Sequence, residues 1–269
     1  MILEPPNGNV LGVAVAGVDL DTAVATVIDA ARDRRPLGVT AVAVHGVMEA
    51  VQDPRFQYQL NDLEMVVADG QPVRWALAWL HGIRLPDRVA GPDLMQAVCQ
   101  LAAPEGLGIF LYGSTERTLE ALQIGLDRDI PDLVVSGTQT SRFRPASESE
   151  READLAKIRG SGASIVFVGL GCPRQEVWTY ENRLQLSMPV IAVGAAFDYH
   201  AGLLRRSPRW MGKVGLEWVH RLAQEPHRLA GRYLRLNPAF VASLVLQKLG
   251  LRRYSYERAS PPTDLSRPS

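Results

Sequence analysis

Short apolar runs rich in β-branched residues alternate along the chain with segments in which apolar residues recur every three or four positions. The first pattern predicts strands and the second predicts amphipathic helices. The predicted strands cover residues 40–44, 65–68, 108–112, 133–136, 165–168 and 190–193. The predicted helices cover residues 21–32, 47–52, 71–79, 91–102, 115–127, 148–159 and 175–186. This alternation is typical of an α/β fold, and we expect a Rossmann-like parallel sheet flanked by helices.

Four of the predicted strands run directly into small or polar residues. These strand ends are Asp69-Gly70, Gly113-Ser114, residues 169–173 and residues 194–198. In open α/β sheets, ligands bind in the crevice beyond the carboxyl ends of the strands. The sequence therefore predicts that the four loops converge on one cleft and that the active site lies there.

The strand pattern stops near residue 203. Helices are predicted at 210–223 and 226–236, and the apolar segment 239–251 is typical of an interfacial helix near anionic headgroups. Residues 203–258 contain twelve Lys or Arg and three acidic residues, a net charge of +9 in a chain whose total is zero. We therefore expect a catalytic α/β core over 1–202, a basic helical, membrane-associating appendage over 203–258 and a disordered tail over 259–269.

Composition narrows the class of protein. The chain has 269 residues, of which 46% are hydrophobic, and its zero net charge argues against a general nucleic-acid binder. The two cysteines, Cys99 and Cys172, have neither metal-ligand nor disulfide spacing, which fits a reducing cytoplasm. No secretory signal is evident, and the apolar stretch 239–246 is far short of the roughly 20 residues of a spanning helix. We expect a cytoplasmic protein whose contact with an anionic membrane surface is peripheral.

Two carboxylates stand at strand ends. Asp69 is the best catalytic candidate, because it is a carboxylate at the end of an apolar strand and Gly70 lets a ligand approach the backbone. An ordinary Asp-Gly turn is the structural alternative. Asp198 follows another strand and could hold a substrate or cap the next turn.

Two glycine-containing loops favour nucleotide binding. Gly113 and Ser114 precede a helix, where free N–H groups and the positive helix end attract a phosphate, although Ser and Thr are also ordinary helix caps. In the loop from residue 169 to 176, Gly169 and Gly171 permit close backbone approach. Gln175 and Glu176 are the polar partners that this loop offers to a ligand. The third glycine of a dinucleotide fingerprint is replaced by Arg174, which disfavours an oxidoreductase.

Four arginines are predicted to bind phosphates. Arg88 lies in a loop, while Arg228 and Arg232 share one face of a helix and Arg221 ends the helix before it. A solvated basic face is the structural alternative, which the charge asymmetry disfavours. The two Asp-x-Asp pairs at 19–21 and 127–129 lie outside the cleft loops and are interpreted as helix caps, so no metal site is predicted.

The motifs together resemble the WecG/TagA/CpsF glycosyltransferases. The matching strings are ADG at 68–70, RVAG at 88–91, FLYG at 110–113, GLGCPRQE at 169–176, GAAFDYHAG at 194–202, GLEWVHRL at 215–222 and EPHRL at 225–229. The resemblance runs from about residue 12 to about residue 240, and its blocks match in order and spacing.

The resemblance implies an enzyme: an inverting, metal-independent transferase with no cofactor, for which a UDP-sugar is the co-substrate. It implies a donor sugar that is N-acetylmannosamine, its uronic acid, glucose or glucuronic acid, and an acceptor saccharide linked to polyprenyl diphosphate in cell-surface or exopolysaccharide synthesis. It gives Asp69 the role of catalytic base. The residues that fall where family members line the donor and acceptor site are Arg88, Gln175, Asp198, Arg221 and Arg228.

One position departs from the family pattern. The family often has a Thr and an Asn near the catalytic aspartate, and here Ala43 aligns with the asparagine, which leaves Thr40 or His45 as a substitute. A non-catalytic scaffold for polysaccharide assembly is therefore one alternative function. A nucleotide-binding oxidoreductase or sensor on the same fold is the other.

Overall fold

The computed structural model describes residues 6–255. The predicted disordered tail lies outside this range, as do residues 256–258 of the basic segment. The strands within the range are β1 (Asn7–Val10), β2 (Val13–Ala16), β3 (Leu37–Val42), β4 (Met65–Ala68), β5 (Ile109–Gly113), β6 (Val135–Gln139), β7 (Ile165–Gly169) and β8 (Pro189–Ala192).

The helices lie between and after these strands. They are α1 (Leu20–Arg32), α2 (Val44–Gln52), α3 (Pro54–Asn61), α4 (Gln71–His81), α5 (Gly91–Ala102), α6 (Glu116–Asp129), α7 (Glu148–Gly160), α8 (Arg174–Asn182), α9 (Ala196–His200), α10 (Arg209–Lys213), α11 (Glu217–Gln224) and α12 (Pro226–Lys248). Two short 3-10 helices cover Ala103–Glu105 and Arg183–Gln185. Within residues 6–255, no helix is both long enough and apolar enough to cross a bilayer.

The described chain divides into two compact units. The first comprises residues 6–19, 42–89 and 207–255, and the second comprises residues 20–41 and 90–206. The predicted boundary at residue 203 stays a prediction.

The first unit contains three strands in the order β1-β2-β4. β1 and β2 form an antiparallel hairpin, and β2 runs parallel to β4. Helix α12 packs against α2, and its buried face carries Leu229, Leu236, Phe240 and Leu244. Near its end, Gln247 Oε1 accepts the Leu11 N–H at 3.0 Å. The last helix of the predicted basic segment is therefore packed into the unit that contains β4.

The second unit contains five parallel strands in the order β3-β8-β7-β5-β6. Every residue of β5 and β8 is buried, as a strand covered by helices on both faces requires. Phe110, Phe167 and Phe197 are its largest fully buried side chains. Because the five strands are parallel, their carboxyl ends lie at the same edge of this sheet.

The predicted α/β fold with a mostly parallel sheet flanked by helices is confirmed. The strand predicted at 65–68 coincides with β4, and the other predicted strands are displaced by three residues or fewer. The sequence pattern missed β1, β2, α3 and the short helix α9.

The helix predictions after residue 209 differ from the structure in two places. The segment predicted as one helix at 210–223 forms α10 and α11, which are separated at Gly215, whose φ of +75° an L side chain rarely adopts. The break predicted between 236 and 239 is wrong, because α12 continues through Pro238. Proline removes one helical hydrogen bond, but Leu236 and Phe240 on either side of it keep one buried face.

Candidate functional site

Asp69 lies where β4 leaves the sheet of the first unit. The four residues of β4 are buried, and the Asp69 N–H donates to the Val42 carbonyl at 3.0 Å. Gly70 is the N-cap residue of α4 and has ordinary extended dihedral angles. The strand therefore ends at Asp69, whose backbone this hydrogen bond holds in place. The Asp69 carboxylate is half-buried, with 28% of the side chain exposed.

Arg88 joins Asp69 to a second acid. Its Nη1 lies 3.5 Å from Asp69 Oδ1 and donates to the Asp69 carbonyl at 3.2 Å, while Nη2 forms an ion pair with Glu217 in the first turn of α11. The adjacent Val89 N–H donates to the Ala68 carbonyl at 2.8 Å, which fixes the loop along β4. The structure thus brings together Asp69 and Arg88, two of the predicted site residues. Sequence reasoning missed Glu217, although it lies inside the GLEWVHRL motif.

The charges of Arg221, Arg228 and Arg232 act on one tyrosine of α12, Tyr233. Burial raises the pKa of the Tyr233 phenol, and the positive charges of Arg221, Arg232 and Arg228 act in the opposite direction. Glu217 is the acidic group that also acts on this phenol. The ring of Tyr233 packs edge-to-face on Trp218 of α11, with ring centroids 5.9 Å apart. The arginines and the Arg88–Glu217 pair therefore belong to one charged region of the first unit.

Two of these arginines share one carboxylate. Glu225 Oε2 accepts from Arg228 Nη2 at 2.5 Å and lies 3.5 Å from Arg221 Nη2. Clustered guanidinium groups are suited to bind a phosphate or diphosphate.

His45 also faces this region. It lies in the first turn of α2, with Nε2 3.1 Å from Glu49 Oε1. Burial lowers the pKa of His45, and the charge of Arg232 lowers it further. Ala43 caps α2 and lies beside Gly70, since a Cβ on Gly70 would lie 3.7 Å from that of Ala43. Thr40 and His45 are the two substitutes considered for the family's asparagine. His45 belongs to the first unit, as Asp69 does, whereas Thr40 belongs to the second.

The strand-end loops of the second unit contact one another. The Ser114 N–H donates to the Gly169 carbonyl at 3.0 Å, and the Gly194 N–H donates to Gln175 Oε1 at 3.2 Å. Three of the four predicted loops are thus joined within this unit. The fourth, at Asp69, belongs to the first unit.

Gly113 and Gly169 have packing roles that the sequence did not reveal. A Cβ on Gly113 would lie 2.6 Å from the Gly169 carbonyl oxygen, and a Cβ on Gly169 would lie 2.6 Å from the Phe197 ring. Gly171 differs, because a Cβ there would meet no atom within 4 Å and only its φ of +76° favours glycine. The N–H of Ser114 donates to the Gly169 carbonyl at the end of β7, so it does not point to a phosphate site as the sequence suggested.

Thr40, Gln175 and Glu176 form a buried polar cluster. Glu176 Oε1 accepts from Thr40 Oγ1 at 3.1 Å and from Gln175 Nε2 at 2.8 Å. Each of the three residues is 2% exposed or less. Burial raises the pKa of Glu176, and the hydrogen bonds from Gln175, Thr40 and Cys172 act against this rise.

Asp198 lies in α9, one loop after β8. Its backbone carbonyl accepts from the N–H groups of Leu203 and Leu204 at 2.9 and 3.0 Å, which turns the chain at the end of this helix. In the described part of the chain no three His, Cys, Asp or Glu side chains form a group that could hold a metal ion. Metal independence stays a prediction.

The chain was compared with models of known protein families. The model of the glycosyl transferase WecG/TagA/CpsF family matches residues 8–254 of the 269 residues. The matched range includes every candidate site residue of both units, from Thr40 on β3 to Arg232 on α12. The chain therefore belongs to the WecG/TagA/CpsF family of glycosyltransferases.

Proposed function

We propose that this glycosyltransferase moves a sugar from a UDP-sugar to a saccharide linked to polyprenyl diphosphate, with inversion at the anomeric carbon and without a metal ion. The observation that carries the proposal is the charged region of the first unit. There, a carboxylate at a strand end lies next to Arg88, and the charges of three arginines of α11 and α12 act on Tyr233.

In the proposed reaction Asp69 is the general base. It takes the proton of the acceptor hydroxyl, whose oxygen bonds to the anomeric carbon as the bond from that carbon to the UDP oxygen breaks. Arg88 contacts both the carboxylate and the backbone carbonyl of Asp69, which restricts the direction in which the carboxylate points. Asp69 therefore acts as the base and Arg88 keeps it in position.

The departing UDP carries negative charge that the protein must stabilise. Arg221, Arg228 and Arg232 supply fixed positive charge, of which Glu225 neutralises only part. Preorganised cations of this kind stabilise charge that develops in the transition state. The arginines of the basic segment thus have a catalytic role in the proposal, in addition to any role at the membrane.

We further propose that the first unit contacts the inner face of the membrane. On α4, Trp75 and Trp79 are 45% and 48% exposed, and Lys248 Nζ donates to the Trp79 carbonyl at 2.6 Å. Leu249 and Leu251 follow with 66% and 72% exposure, next to Arg252 and Arg253. Exposed aromatic and aliphatic side chains beside basic groups suit a bilayer surface that contains anionic lipid.

Vesicle binding tests this contact. We expect binding to phosphatidylglycerol-containing liposomes to weaken as salt is raised and to fall when Arg252 and Arg253 are both replaced by glutamine, because exposed charges are screened. The exposed pair Arg34 and Arg35 in the second unit is the matched control. Equal loss in both double variants, or binding to neutral liposomes alone, would contradict an electrostatic contact.

The choice of nucleotide is tested by thermal stabilisation of the purified protein without added metal. A bound ligand raises the melting temperature by an amount that grows with the logarithm of its concentration relative to Kd. We expect a rise with UDP and with one UDP-sugar among those of N-acetylmannosamine, its uronic acid, glucose and glucuronic acid. A response only to NAD(P) or a flavin would overturn the proposal.

A further inference from the structure

One carboxyl group joins three segments of the second unit. Glu176, in the first turn of α8, accepts from Thr40 on β3 and from Gln175 beside it. Gln175 in turn accepts from the N–H of Gly194, the start of the loop that leads from β8 to Asp198. Glu176 therefore connects β3 and α8 directly, and the β8–α9 loop through Gln175.

The burial of this group indicates how it acts. Glu176 is 2% exposed, and in the described residues its Oε2 has no hydrogen-bond partner. A buried carboxyl group that already accepts from Thr40 and Gln175 is well suited to fix those donors and poorly suited to meet a ligand itself. This differs from the sequence-based expectation that Glu176 binds substrate directly.

We propose that Glu176 is a positioning residue that, through Gln175, holds the β8–α9 loop in the arrangement to which the sugar nucleotide binds. This inference rests on the proposed function, since it assigns that loop to the donor. Thr40 and Gln175 are buried like Glu176 itself, whereas Gly194 and Asp198 of the loop are half-buried, so a ligand meets the loop and not the cluster behind it.

Substitutions at Glu176 distinguish the effect of its acceptor oxygen from the effect of its side-chain shape. Glu176→Gln keeps an acceptor oxygen where Oε1 lies, whereas Glu176→Leu and Glu176→Met fill the space and remove the acceptor. Two apolar variants are used so that the test does not depend on the folding of one of them. Removal of the acceptor leaves the buried Thr40 and Gln175 donors unpaired, so both apolar variants are expected to melt below the wild type.

Steady-state kinetics with the four UDP-linked sugars give the first readout. Removal of the acceptor should raise KM for the UDP-sugar roughly tenfold, the scale of one lost hydrogen bond to a buried donor, with a smaller change in kcat. Glu176→Gln should stay within about twofold of the wild type, because an amide oxygen can accept both hydrogen bonds. Unchanged KM in the apolar variants, or equal impairment in Glu176→Gln, would overturn the positioning role.

Amide hydrogen exchange at Gly194 gives a second readout that needs no activity. We expect faster exchange in the apolar variants, because Gln175 loses the partner that holds its side chain against the Gly194 N–H. Exchange at the wild-type rate would count against the positioning role.

Asp154→Asn is the matched control for loss of a buried carboxylate. Asp154 is 4% exposed and accepts from Tyr112 at 2.8 Å and from Arg142 at 2.5 and 2.8 Å, apart from the Glu176 cluster. It should lower the melting temperature and leave both the UDP-sugar KM and the Gly194 exchange rate unchanged. If the wild type transfers no sugar at all, the proposed function fails; if it transfers sugar and the Glu176 variants match it, only the positioning role fails.

Discussion

Replacement of Asp69 by asparagine is expected to lower sugar transfer by roughly 10²- to 10⁴-fold, the usual contribution of a general base. Asparagine has the same shape and its amide oxygen can still accept from Arg88 Nη1, so the variant should fold normally. It cannot take the proton of the acceptor hydroxyl. The loss should therefore appear in kcat, with stabilisation by UDP close to that of the wild type.

The control for this substitution is Asp132→Asn, in the exposed turn before β6. It makes the same chemical change away from the charged region of the first unit, and we expect wild-type transfer. Turnover of Asp69→Asn close to that of Asp132→Asn would show that another group removes the proton.

Arg88→Gln is expected to lower kcat by roughly 10²-fold, the cost of displacing a reacting group by about 1 Å. Arg88 is 18% exposed and contacts both Asp69 and Glu217. Without the charge of Arg88, Asp69 and Glu217 lose the cation that they share, and Asp69 loses the contact that orients its carboxylate. Arg88→Lys should restore little, because a single ammonium group cannot reproduce the fork of the guanidinium.

A double-mutant cycle with Glu217→Gln tests the reason for this effect. If Arg88 acts between the two acids, the losses in the Arg88→Gln and Glu217→Gln variants should not add. Arg84→Gln, an exposed arginine earlier in the same loop, should retain full activity. Additive losses would show that Arg88 and Glu217 act independently.

The sequence was sufficient to predict most of the fold. β4 is a run of four apolar residues between polar neighbours, and it was located to the residue. The hairpin of β1 and β2 was missed because each strand has four residues and the turn is Leu11-Gly12, in which leucine itself adopts a positive φ of 54°. An Asn-Gly or Asp-Gly turn would have given a stronger signal.

The sequence located candidate residues better than it explained them. Asp69 and Arg88 were predicted from strand ends and motifs, and they lie in contact. Glu217 could not be inferred as their partner, because that pairing depends on how α11 packs within the first unit. Gly113 and Gly169 looked like openings for a ligand, yet the space beside each is filled by backbone or by Phe197.

The central claim is that this chain transfers sugar with Asp69 as its base. The most direct test is transfer of a radiolabelled sugar from each UDP-sugar to a polyprenyl-diphosphate-linked saccharide, with EDTA present, read as label extracted into the organic phase. We predict labelled lipid with the wild type and one donor, and almost none with Asp69→Asn. Equal labelling by the two proteins, or no labelling with any UDP-sugar, would contradict the account.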